Sequence, residues 1–197
     1  MVVNEHLESH PLGRLEWIKV YGLLVGKQQE AGRLFADTAT RYERLKTMAA
    51  EQIAKPTVMF GAPYSGSWYV PAGESYMAQF IKDAGGDYLW SDTEGIGSRP
   101  LDFERVFLKA AKADVWLNPS FHRSLTTLLN EDRRLAQFAP FQNGKVYNQT
   151  RKLTETNSNP IWEVGVTEPD RILADLVSIF HPHLDSGTPY NYFEDVQ

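Results

Sequence analysis

From Pro56 onward, short apolar runs rich in β-formers alternate with segments of helical periodicity, and this alternation constrains the fold more than any other feature of the chain. Strands are expected at 57–61, near 87–90 and at 113–117, with helices at 74–84 and 102–111 between them. Such alternation is the pattern of βαβ units, in which crossover helices join parallel strands. Further helical segments are expected around 121–137, a strand at Lys145 to Tyr147, and a helix from Pro169 to Phe180. Proline suits the first turn of that last helix, and His181-Pro182 stops it.

The N-terminal part reads differently. Pro11 followed by Leu15, Ile18, Leu23 and Leu24 suggests a first helix, with Trp17 and Tyr21 on its apolar side and Gly26 interrupting it. From Lys27 to about Gln52, the residues Leu34, Phe35, Thr38, Tyr42, Leu45 and Met48 mark one face of a second helix, long enough to act as a spine. The C-terminal stretch from Leu184 carries Tyr190, Tyr192 and Phe193 in a polar setting without a period and reads as a tail.

A chain of 197 residues with 42% apolar content can bury a substantial core. Its formal charge of -5 and the lack of a basic stripe argue against nucleic acid as a partner, and Arg133-Arg134 reads as solvated helix surface. With no cysteine, disulfides, thiolate metal sites and cysteine nucleophiles are excluded. The opening residues lack the basic start, apolar core and cleavage site of a secretion signal, and no run is long enough to span a bilayer, so a soluble chain is expected.

The segment from Tyr64 to Tyr76 sets Trp68 and Tyr69 in a glycine-containing loop between the strand ending at Gly61 and an amphipathic helix. Loops leaving the carboxyl ends of strands are where open α/β sheets bind ligands. Aromatics there either face a ligand or pin the loop to the domain.

Four ordered segments carry a resemblance: His10 to Lys19, Trp68 to Tyr76 with Asp83-Ala84-Gly85-Gly86, Asn159 to Glu163, and Glu168 through Pro182. Together they are similar to the C-terminal portion of ABC-importer periplasmic substrate-binding proteins of the helical-backbone class, which capture ferric siderophores, haem or cobalamin. The resemblance implies an α/β lobe of three layers, a mainly parallel sheet flanked by helices, preceded by a long spine helix. It divides the chain into residues 1–26, resembling the end of an N-terminal lobe that is otherwise missing, a spine at 27–55, the ligand-binding lobe at 56–184 and a tail at 185–197. It also implies noncovalent capture of an iron-siderophore, haem or corrinoid ligand and delivery to an ABC permease from the periplasm. The missing lobe would carry any export signal or lipid anchor.

By the same resemblance, Trp68 and Tyr69 match the aromatic cleft loop, with Tyr64 and Trp162 as further wall candidates. Glu74 matches a surface glutamate that docks on the permease, although a carboxylate in a first helical turn also suits the helix dipole. Arg99, Phe121, His122, Arg123 and Arg151 lie in or beside expected loops; the arginines suit an anionic siderophore, and His122 is either a haem-iron ligand or an ordinary loop residue. The histidine spacing gives no protein-bound metal. No catalytic motif is found, and Glu94, Asp102 and Glu163 offer only the general chance that acids pair as in a hydrolase. A third expectation is self-association: Leu15, Trp17, Ile18, Tyr21 and Leu24 would leave an apolar patch that a homodimer through the N-terminal helices would cover.

Overall fold

The structure, a computed structural model, describes residues 4–120, 122–156, 158–185 and 187–197. The chain enters through two short helices, α1 (Pro11–Glu16) and α2 (Ile18–Leu24), and then the spine α3 (Gln28–Ala50). His10 caps α1 by accepting the Leu12 amide at Nδ1. The expected single first helix is broken at Trp17, which closes α1 and opens α2. On α3, Thr38 and Tyr42 of the expected face are buried together with Ala31 and Ala49, whereas Phe35, Leu45 and Met48 are half-buried and Leu34 is exposed.

Beyond the spine come β1 (Thr57–Phe60), the short pair β2 (Pro63–Tyr64) and β3 (Ser67–Pro71), α4 (Tyr76–Asp83) and β4 (Asp87–Tyr88). These are followed by β5 (Ser98–Leu101), α5 (Phe103–Ala110), β6 (Val115–Leu117), α6 (Leu125–Glu131), α7 (Ala139–Gln142), β7 (Val146–Asn148), α8 (Pro169–Phe180) and β8 (Glu194–Asp195). The main sheet runs β4-β1-β6-β7-β8, parallel throughout except for the antiparallel edge β8. All three residues of β6 are buried, as are Val58, Met59 and Phe60 of β1, so both faces of the sheet are covered. The fold is the expected α/β lobe with a mainly parallel sheet flanked by helices.

Three local expectations are corrected. The segment after Gly61 is not a loop: β2 and β3 form a hairpin closed by Ser65 (φ 49°) and Gly66 (φ 84°), a two-residue turn with both φ positive, and β3 continues the pairing to β5. The expected helix at 74–84 starts later, because Ser75 caps it by accepting the Ala78 amide and leaves Glu74 outside. The stretch 121–137 splits into α6 and a 3-10 turn, Arg133–Gln137, capped by Asp132; Phe121 lies outside the described residues.

The C-terminal stretch is no tail. Tyr192, Phe193 and Val196 are core residues, held because the buried Asp175 carboxylate accepts the amides of Asn191 (2.7 Å), Tyr192 (2.6 Å) and Phe193 (3.2 Å). Burial raises the Asp175 pKa from its ordinary value, against the pull of these donors. Glu194 and Asp195 then add β8 to the sheet.

Candidate functional site

The sheet order fixes where a ligand crevice can form. The chain leaves β1 toward β4 on one side and leaves β6 toward β7 on the other, although β1 and β6 are neighbours. Connections that diverge from adjacent parallel strands leave an opening at their carboxyl ends, the topological switch point at which α/β sheets bind ligands. A crevice of about 500 Å³ lies there, within the range of small-molecule sites. Its floor comes from Phe60, Gly61 and Ala62 after β1 and from Asn118 and Ser120 after β6.

This floor is preorganised. The indole N–H of Trp68 donates to the Phe60 carbonyl (2.9 Å), and that of Trp116 donates to the Gly61 carbonyl (2.7 Å). At Gly61 φ is +82°, and a Cβ would stand 2.4 Å from the Tyr69 carbonyl, so no other residue fits. Asn118 (φ 51°) and Ser120 (φ 62°) occupy the left-handed region without being glycine. Such residues persist only where their surroundings over-determine them, and they cluster at binding sites. Here the buried Asn148 amide provides the restraint, donating to the carbonyls of Ser120 (2.8 Å) and His122 (2.7 Å).

The walls are aromatic. Tyr64 (69% exposed), Tyr69 (45%) and Trp162 (46%) border the crevice, together with Tyr76 at the start of α4. Large rings with half their surface open offer π faces to a flat ligand. None of the described residues that line the crevice carries a charge.

Trp68, expected as part of this wall, stands behind it. It is 1% exposed and packs in an aromatic cluster with Trp116 (5.7 Å between ring centroids), Phe138 (5.5 Å) and Phe103 (6.2 Å). The physical reason is strand alternation: once Ser67–Pro71 is extended, Trp68 and Tyr69 must point to opposite sides. Arg99 pairs across to Val70 and so shares the face of Trp68, whereas Ser98, which does line the crevice, pairs across to Pro71.

The other polar expectations also fall outside the crevice lining. Arg123 spans β8 and the end of β7, donating to Glu194 (3.2 Å) and to the Thr150 carbonyl (3.0 Å). Arg151 is exposed beside this contact, and His122 is half-buried, its carbonyl taken by Asn148. Glu74 is exposed, and its carboxylate accepts the Gly95 amide (2.9 Å), tying the 91–97 loop to α4. Asp102 caps α5, Glu163 accepts from the Ser158 hydroxyl (3.4 Å), and neither they nor Glu94 line the crevice. Among the described residues no group of three or more His, Cys, Asp or Glu side chains is placed to hold a metal ion, and no helix is long and apolar enough to cross a membrane.

The crevice residues that sequence reasoning missed are chiefly Tyr76, Asn118 and Ser120. A signal existed for the last two, since Asn118-Pro119-Ser120 directly follows a strand and asparagine tolerates the left-handed region.

A switch-point crevice with a preorganised floor and aromatic walls has the form of a small-molecule binding site. The family model of the periplasmic binding protein matches residues 3–152, and the chain belongs to that family. Membership places it among substrate-binding proteins rather than enzymes. It is 31% identical over 192 residues to an uncharacterized lipoprotein of Methanocaldococcus jannaschii, covering 96% of this chain but 44% of that protein. The chain spans about half the length of the curated relatives it matches. Among solved structures, a TroA-like periplasmic binding protein, FepB of Veillonella parvula, superposes with a TM-score of 0.71 at 16% identity, over 99% of this chain and 64% of that one. The periplasmic heme-binding protein RhuT of Roseiflexus sp. RS-1 gives 0.65 at 18% identity, over 85% and 62%. At these identities the structures show a shared fold.

Proposed function

We propose that this chain is the ligand-holding lobe of an extracytoplasmic substrate-binding protein of an ABC importer, and that its cargo is a large, flat-faced metal chelate: haem, a corrinoid or a ferric siderophore. The observation that carries this reading is the aromatic wall of Tyr64, Tyr69 and Trp162 over a preformed floor at the switch point. Stacked aromatic contacts are worth about 0.5–1.5 kcal/mol each beyond the area they bury. Uncharged walls favour a delocalised or neutral face over a triply anionic catecholate, for which Arg99, Arg123 and Arg151 would need to line the crevice. The likeness to a heme-binding protein and to a protein named as a lipoprotein supports the cargo class and the extracytoplasmic setting.

Glu74 is the candidate contact for an arginine of the permease, exposed and already ordered through Gly95. The test of the whole reading is a titration with haemin, cobalamin, a ferric hydroxamate and a ferric catecholate, followed by tryptophan fluorescence. At least one of the first three should quench Trp162, and Tyr69→Ala should weaken that ligand about tenfold while leaving the melting temperature within a few degrees. Quenching by none of the four sinks the reading. A second reading, self-association without cargo, draws on the exposed Leu23, Leu24 and Val25 at the end of α2 (59%, 62% and 69%). A monomer by light scattering at high concentration dismisses it.

A further inference from the structure

One wall of the crevice is not held by packing. Ile96, Gly97 and Ser98 form it at the end of the 91–97 loop. Behind Ile96 opens a second groove of about 700 Å³, which Gly73, Glu74, Gln79, Lys82 and Ser91 help to line. Among the described residues Ile96 alone borders both spaces, so the wall is one side chain thick and has room on either side. Side chains in a close-packed interior are fixed by their neighbours, and a wall between two cavities lacks that restraint. Nor is the backbone crowded there: a Cβ at Gly95 (φ +95°) or Gly97 would meet no heavy atom within 4 Å.

Hydrogen bonds set its position instead. The start of the loop is anchored twice: Asp92 pairs with Lys109 of α5 (3.2 Å), and the Gly73 amide is shared by the carbonyl and hydroxyl of Thr93 (2.9 Å each). Gly73 admits no side chain, since a Cβ would stand 2.4 Å from the Ser91 carbonyl. Beyond Thr93, Glu74 meets Gly95 at two points, its amide donating to the Gly95 carbonyl (3.1 Å) and its carboxylate accepting the Gly95 amide (2.9 Å). The Ala72 amide donates to the Gly97 carbonyl (2.8 Å) where β5 begins. Of these contacts past Thr93, the Glu74 carboxylate is the one made by a side chain. It is exposed, so it can let go without leaving a buried group unpaired.

We propose that residues 94–97 are an adjustable wall and that Glu74 is its latch, a positioning residue that sets the resting width of the crevice. With the latch closed the crevice suits a narrow flat ligand, and a wider one displaces Ile96 into the second groove at the cost of the contact between Glu74 and Gly95. This inference deepens the binding reading above and rests on its crevice, but not on the metal in its cargo. Glu74 then discriminates among ligands by width rather than by charge.

The experiment uses 1-pyrenebutanol and protoporphyrin IX, which are fluorescent, metal-free and present a narrow and a wide flat face. Dissociation constants are measured by probe fluorescence for the wild-type chain, Glu74→Ala, Glu74→Gln and Ser91→Trp. Glu74→Ala opens the latch and should tighten protoporphyrin about fivefold, the scale of one exposed hydrogen bond, while changing pyrenebutanol less than about twofold. Glu74→Gln keeps an acceptor for Gly95 and should behave as the wild type. Ser91→Trp fills the groove behind the wall from a position outside the crevice lining, and should weaken protoporphyrin about fivefold while again sparing pyrenebutanol. The inference is overturned by parallel changes of both probes in Glu74→Ala or Ser91→Trp, by no change in either variant, or by binding of neither probe to the wild type. Equal tightening of protoporphyrin in Glu74→Gln and Glu74→Ala would also overturn it, because charge and not the latch would then be the cause. The width pattern without uptake of any metal chelate would retain the wall and remove the chelate cargo. Chelate binding without the width pattern would remove the wall alone.

Discussion

Trp68 and Tyr69 are neighbours in sequence and opposites in role. Tyr69 is the wall, whereas Trp68 holds up the floor from behind through the Phe60 carbonyl. Substituting the buried ring leaves a large cavity among Trp116, Phe138 and Phe103 as well as an unpaired carbonyl. Trp68→Ala should therefore lower stability by about 4 kcal/mol, read as a fall in the urea midpoint, whereas Tyr69→Ala should cost less than about 1 kcal/mol. The distinction was within reach of the sequence. Once Ser67–Pro71 is a strand, period two forces one of the pair inward, but the turn that makes it a strand rests on Ser65 in the left-handed region, which no periodicity marks.

Elements with strong local signals were legible from the sequence. The last long helix is bounded by Pro169 and Phe180 as expected, because proline opens it and His181-Pro182 closes it. Elements held by distant partners were not. Among the described residues β5 pairs only with β3, and β8 exists because Asp175, two turns into α8, collects the backbone of Asn191 to Phe193. The end of α8 also carries a pH dependence. His181 is buried, with Nε2 3.0 Å from the Ala84 carbonyl, in the turn where Gly85 (φ +77°) leaves no room for a Cβ. Burial lowers its pKa, with a smaller push from His183 against the Ala84 hydrogen bond. The unfolded chain then takes up a proton below about pH 6.5 that the folded chain refuses. Stability from this group is complete above that pH and is lost as pH falls toward the lowered folded value. His181→Gln, which keeps a donor for Ala84, should flatten the decline in urea midpoint between about pH 7.5 and 5; an unchanged slope would remove His181 as its source.

At the scale of the molecule, the lobe is closed by the segment from Tyr192 to Val196. Ending the chain after Tyr190 would remove Tyr192, Phe193 and Val196 from the core and free the Asp175 carboxylate. At about 1.5–3 kcal/mol per buried side chain, such a truncation should lower stability by roughly 5 kcal/mol or prevent folding, whereas a dispensable tail would leave the melting temperature unchanged.

The molecular claim is that the switch point between β1 and β6 holds the ligand. Much of that was legible from the sequence, because the strand and helix order sets the connections and the connections set the crevice. The far wall was not, because Tyr76 and Trp162, far apart in sequence, come together only through tertiary packing. Amide hydrogen exchange with and without a saturating chelate tests the claim most directly. The account predicts slowed exchange confined to Gly61 through Tyr64 and to the segment around Asn118 and Ser120, with the start of α4 also protected. Protection centred on α2 and α3, or none at these two loops while ligand is bound, would contradict it.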